Sequence, residues 1–348
     1  MNHAVAIILC ILLGALGMYL LFVISLNHNK NNFVRIFPSH LIERVRSIER
    51  EGGNHYIAGL SPGQIFAADY DNPRSITMID YGLSKPESIN FKFLDLTPLT
   101  TALKLTIDSP DVYLMDGISG VSMHWHLNGQ DTTMNYLRSG SFTVGVPLSS
   151  SSQVVRKLDS RVGRNVLLKE YISRDAGEGD IIVDSTLLVK QIDGFFCTDG
   201  SLVYSRAANA LIYVYAYRNE FFRADTSLNK IYTVHTIDTT TRAKLTVDSI
   251  PSANKVTLSS PPSIVNRRMA INNEYIFINS ALAADNEDKA TFNANAVIDV
   301  YALRDGTYKF SFYIPNSNGE RLGEFLVSEN RLVTFHGNML DVYTLSLP

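Results

Sequence analysis

Short runs rich in Ile, Val, Tyr, Phe and Thr, Asp-Gly and Asn-Gly pairs between them, and one strand written twice predict an all-β fold, a six-bladed β-propeller. The repeated strand is Asp-Val-Tyr-x-Leu, in VIDVYALRD and again in MLDVYTLS, and Asp299 and Asp341 lie 42 residues apart. That spacing is the length of one four-stranded unit in a radially repeated sheet. Of the 348 residues 45% are hydrophobic, enough for a large packed core. The net charge is -3 and the pI about 6.2, with acids and bases interspersed, which excludes the basic footprint of a nucleic-acid binder.

Residues 1–3 form a short tail, and Ala4 to Leu26 then run without a charge. At about 1.5 Å per residue this stretch spans the roughly 30 Å of a bilayer core, so residues 4–26 are expected to be a transmembrane anchor. A cleaved signal peptide is disfavoured, because its apolar region runs only about 7–15 residues and no small-x-small exit closes this one. Leu9 before Cys10 argues against a lipoprotein site. Residues 27–40 are the expected linker and 41–348 the propeller. Lys30, Arg35, Arg44 and Arg46 follow the span, which by the positive-inside rule alone places the propeller in the cytoplasm. Arg44 and Arg46 also suit the folded domain, and an anchored all-β domain suits export, so the expectation is the periplasmic side of a bacterial membrane. Cys10 in the anchor leaves Cys197 without an internal partner, so cysteine says nothing about compartment.

Blade one reads HYIAGL, QIFAADY, SITMIDYG and INFKFLDL. Blade two reads ALKLTID, DVYLMDG, VSMHWHLN and TTMNYLRS, and blade three SFTVGVPLS, SQVVRKLDS, NVLLKEYI and STLLVKQI. Blade four reads GSLVYS, ALIYVYAY, EFFRADTS and NKIYTVHTI, and a hairpin over 243–260 separates it from blade five. Blade five reads VNRRMAINN, EYIFINSAL, VIDVYALRD and TYKFSFYIP. The last group, GEFLVSEN, RLVTFHGN and MLDVYTLS, has three strands, and an open end would leave a bare edge. LIERVRSIE, 41–49, alternates in side-chain character and is the predicted fourth strand, closing the ring. Seven blades result if the 243–260 hairpin belongs to a blade of its own. Asp-Gly or Asn-Gly turns are expected at 116, 128, 199, 305 and 318. Val300, Val342, Leu303 and Leu345 are core candidates, and Asp299 and Asp341 are expected to bond backbone at turns.

The segments KQIDGFFCTDGSLVYS, LIYVYAYRNEFFRADTSLNKIYTVHTIDT, PPSIVNRR and VIDVYALRDGTYKFSFYIP resemble a family of uncharacterised six-bladed propeller-like proteins of Bacteroidota. The likeness extends back through NNFVRIFP and NHYIAGL. It implies the fold, envelope association and a bacterial origin, and supplies no catalytic residues.

Propellers bind along the central channel or at a mouth, so polar residues at blade starts and loops are the ligand-binding candidates. These are Lys190, Asp193 and Asp199 before blade four, Arg218 and Asn219 at a strand end within it, and Asn266, Arg267 and Arg268 opening blade five. Adjacent arginines offer a fork to a carboxylate or phosphate, against the plainer reading of an exposed charged turn. His124 and His126 alternate on one strand and face the same side, as two metal ligands would. A third ligand has no visible source, since His55, His235 and His336 reach them only by assumption, and no metal site is assigned. Asp285, Glu287 and Asp288 lack calcium-loop spacing and read as a solvated loop. Asp69 and Asp71 show no acid-base partner, and Cys197 with His235 shows no orienting third group. No cofactor and no catalytic residue is expected. The reading is a membrane-anchored binding module for a protein, peptide or small ligand in the cell envelope, serving a membrane-protein partner. The alternative is a hydrolase or lyase acting on a glycan or lactone, with Asp80, Asp193 or Asp199 as acid and base. The oligomeric state is left open.

Overall fold

A computed structural model describes residues 5, 10–20, 31–92, 94–96, 99–100, 102–129, 132–172, 180–250 and 255–348. After β1 (Ile42–Glu49), blade one is β2 (His55–Ser61), β3 (Gln64–Asp69), β4 (Ser75–Asp80) and β5 (Glu87–Asn90). Blade two is β6 (Leu103–Asp108), β7 (Asp111–Asp116), β8 (Val121–His126) and β9 (Thr133–Tyr136). Blade three is β10 (Val144–Ser149), β11 (Ser152–Asp159), β12 (Arg164–Tyr171) and β13 (Ile181–Asp184). Blade four is β14 (Gly200–Ser205), β15 (Ala210–Tyr215), β16 (Glu220–Ala224) and β17 (Lys230–His235). Among the described residues β18 (Val247–Ile250) and β19 (Lys255–Leu258) pair only with each other, so the count stays at six. Blade five is β20 (Asn266–Ile271), β21 (Tyr275–Ser280), β22 (Asn295–Ala302) and β23 (Tyr308–Pro315).

Blade six is β24 (Glu324–Ser328), β25 (Arg331–His336) and β26 (Met339–Leu345), completed by β1 on the outer edge of β26. The register runs antiparallel from Ile42 opposite Leu345 to Glu49 opposite Met339, with a bulge between Arg44 and Arg46. Six apolar clusters fill the six seams. Phe66, Leu105 and Trp125 join blades one and two, Leu167, Leu202 and Tyr213 blades three and four, and Phe221, Ile276 and Tyr301 blades four and five. Phe277, Phe312 and Tyr343 join blades five and six, and Ile65, Ala67 and Val342 close the ring between six and one. The seam between two and three is the leanest, with Met115, Val155 and Leu168 buried. Each blade hides its faces only against its neighbours, as radial repeats require. Val300, Val342, Leu303 and Leu345 all lie in this core.

Two outer strands differ from expectation. In blade one the strand is Glu87–Asn90, because Phe91 leaves the sheet to pack edge-on against Trp125, centroids 5.0 Å apart. In blade three it is Ile181–Asp184 rather than STLLVKQI. Asp184 caps the next turn, accepting from Thr186 N and Leu187 N at 2.6 Å, and Leu187 and Leu188 plug the seam to blade four. Asn318 and Gly319, with φ of 50° and 80°, make the primed turn their sequence calls for, while Asp199 is extended and Gly200 starts β14. A Cβ on Gly200 would stand 2.2 Å from the Val214 carbonyl oxygen, so this glycine serves close strand approach.

Residues 10–20 are helical. No helix of the described residues is long and apolar enough to cross a membrane; positions 4, 6–9 and 21–26 of the expected anchor lie outside them. The stretch read as the end of a linker is clasped to blade five. Phe33 is buried, Phe37 stacks on Tyr313 at 4.6 Å, and Ser311 N donates to Ile36 O at 2.8 Å. The buried Arg35 grips Asp299 at 2.7 and 3.0 Å and also pairs with Glu287. The acidic stretch around Asp285 is a solvated loop in part: Asp285 and Asp288 are exposed, whereas the Glu287 side chain is buried against Arg35, and Asp288 caps a short helix, Lys289–Ala294. Nor do Asp299 and Asp341 serve turns. Each sits mid-strand and accepts from a serine directly opposite, Ser311 at 2.5 Å and Ser47 respectively.

Candidate functional site

Antiparallel meanders put the first and third turns of every blade on one face of the ring, and the second turn and the crossover on the other. The sequence-predicted residues gather on the crossover face around blade four. Asp193 accepts from the backbone of Phe195, Phe196 and Cys197 at 2.7 to 3.1 Å, holding a 3-10 turn. Arg218 is fully buried over the Tyr215 ring at 3.4 Å, donates to Cys197 O and Val189 O, and pairs with Glu220 at 3.1 Å. Asn219 donates to Asp238 O, and Asn266 to Tyr215 O and Arg218 O. Asp199 pairs with the buried Arg156 at 2.7 Å, whose Nη1 also donates to the Tyr213 hydroxyl. Burial pushes that phenol up to about 12. Lys190, Arg267 and Arg268 are exposed and stand apart. Most of the polar atoms that converge here knit loops to the blades, while the buried Arg218 Nε and Asn219 Oδ1 have no hydrogen-bond partner among the described residues.

Asp80 lies at the end of β4, on the turn face, away from Asp193 and Asp199. Ser84 donates to it at 2.7 Å and holds its carboxyl below the usual range. Any acid and base pairing that includes Asp80 is thus split between the two faces, while Asp193 and Asp199 share the crossover face. His235 Nδ1 lies 2.9 Å from Asn219 O, and Cys197 Sγ donates to Asp193 O at 2.6 Å.

A different constellation occupies the turn face. Asp111 opens β7 directly opposite His126 on β8, and Tyr113 stands opposite His124, so the alternation of a strand turns Asp111, His124 and His126 to one side. Asp111 Oδ1 lies 2.8 Å from His124 Nε2 and 3.2 Å from His126 Nδ1. From the β14–β15 turn of blade four, Arg206 reaches past blade three to the same spot. Its Nε is 2.8 Å from Asp108 Oδ2, its Nη1 3.5 Å from Asp111 Oδ2, and its Nη2 donates to the Tyr113 hydroxyl at 3.1 Å. Burial, then the Asp111 charge, pushes the Tyr113 phenol up, so the hydroxyl that accepts from Arg206 stays protonated. The ring mouth is thereby bridged by fixed charge. Open depressions beside Arg44 and Met339, beside Arg223 and Lys309, and beside Tyr70 and Leu99 hold none of these groups.

His124 and His126 were visible in the sequence; their partners were not. A four-residue turn at 117–120 sets Asp111 across from His126 by counting alone, whereas Arg206 lies in another blade and carries no local signal.

No family model and no curated protein matches the chain. A solved structure of a DUF4221 family member from Bacteroides vulgatus is similar, with 12% identity, a TM-score of 0.52, and coverage of 88% of this chain and 98% of that one. The Cps50 (Swd1) β-propeller domain of Myceliophteria thermophila is similar at 10% identity and a TM-score of 0.46, with coverage of 86% and 99%. The first of these likenesses supports the propeller fold and nothing finer.

Proposed function

We propose that this chain is a membrane-anchored propeller of the Bacteroidota type that binds a protein, peptide or small ligand in the cell envelope at its turn-face mouth. One observation carries the reading: the mouth and the N-terminal segment lie on opposite faces. Asn31 bonds Asp285, Ala283 and Thr239, all in connections of the crossover face, while Arg206, Asp108 and Asp111 sit on the turn face. A propeller tethered through residues 4–26 therefore presents that mouth away from the bilayer. Arg35 is locked in a buried ion pair and Arg44 and Arg46 lie on β1, so only Lys30 of the four cations after the span is left as a flanking charge. This reduces the pull of the positive-inside rule toward the cytoplasm to one lysine, and the proposed periplasmic side rests on the export common to anchored all-β domains.

The test is affinity capture of the full chain from native membranes, compared with an Arg206→Glu variant. The reading expects a reproducible partner held by the wild type and lost by the variant. Equal recovery from both, or fractionation of the chain away from membranes, contradicts it.

A further inference from the structure

We propose that Asp111, His124 and His126 form a binding site for one divalent transition-metal ion of the zinc class. This deepens the reading of the mouth as a binding face and rests on the same residues. Asp111, His124 and His126 each offer a donor atom, and the three atoms lie within 4.8 Å of one another. Tetrahedral zinc with bonds of roughly 2.0–2.1 Å keeps its ligand atoms about 3.3 Å apart. One edge, 3.2 Å, already has that size, and the other, 2.8 Å, is a hydrogen bond that opens by about half an ångström when the ion replaces its proton.

The carboxylate is divided between two tasks. Oδ1 faces both imidazoles, while Oδ2 faces Arg206, which is itself neutralised by Asp108 at 2.8 Å. Such outer contacts fix a ligating carboxylate and leave one oxygen for the ion. With neutral imidazoles, Asp108, Asp111 and Arg206 carry a net charge of -1, which favours a dication. Two imidazoles and a carboxylate suit zinc, cobalt and nickel better than calcium or magnesium. The His126 side chain is 65% exposed, so the remaining coordination position faces solvent, open to a carboxylate or imidazole of an incoming partner.

The full chain, purified in detergent and stripped with a chelator, is titrated with Zn²⁺ by calorimetry and with Co²⁺ by visible absorbance. One equivalent should bind, with the strong visible bands of four-coordinate cobalt. His126→Gln and Asp111→Asn should each weaken binding about tenfold or more, and His235→Gln, on an exposed histidine elsewhere, should leave it unchanged. His126 is exposed, so the metal-free thermal midpoint of its variant should equal that of the wild type, separating loss of metal from loss of fold. Absence of saturable binding at one equivalent, or wild-type affinity in the His126 and Asp111 variants, overturns the site. If metal binds but capture of a partner is indifferent to Arg206→Glu, the site stands and the wider reading of the mouth falls.

Discussion

Arg35 and Asp299 show how one residue pair ties distant parts of the chain. The guanidinium is buried, makes two bonds to one carboxylate and donates to Leu282 O at 3.0 Å. Removing one member of such a pair strands the other charge away from water and typically costs ~3–5 kcal/mol. Arg35→Leu, which strands both Asp299 and Glu287, should therefore destabilise the domain by about that amount in urea unfolding, and adding Asp299→Asn should restore part of the loss. A double variant as unstable as the sum of two independent losses would contradict the pairing. The sequence marked Asp299 through its echo with Asp341, yet Arg35 looked like a flanking cation, because no periodicity links positions 264 residues apart. The same blindness hid Arg206 beside Asp111.

At the scale of strands, most boundaries were legible because alternation and turn chemistry are local. The errors fell where apolar residues leave a sheet to fill a seam, as Phe91, Leu187 and Leu188 do, since a strand and a seam plug have the same composition. The closing element was legible from a missing edge: β1 zips onto β26 next to β25, whose last residue is His336. Burial pushes the His336 imidazole down, only partly opposed by Asp341 at 3.8 Å. The native state thus resists protonation while the unfolded chain takes the proton near pH ~6.5. This contribution to stability is present above that pH and lost as pH falls below it, by at most ~1.4 kcal/mol per pH unit. Urea midpoints measured from about pH 7.5 to 5.5 should fall more steeply for the wild type than for His336→Gln. Identical slopes would remove His336 from the account.

For the whole molecule, the ring followed from one 42-residue echo and an unfinished last blade, and the structure closes it with six seams and a separate hairpin. The faces of that ring were not legible, because which loops share a mouth depends on the order of turns around all six blades. That order sets the N-terminal segment and the Asp111 constellation on opposite sides. The claim that the turn-face mouth is where this propeller meets its partner is tested most directly by photocrosslinking in native membranes. A photoreactive residue replacing the exposed Asn128, in the β8–β9 turn just after His126, is compared with one replacing Ile231, which is exposed on the outer strand of blade four. The account predicts a discrete adduct from position 128 and none from position 231. Adducts of equal yield from both positions, or none from 128, would contradict it.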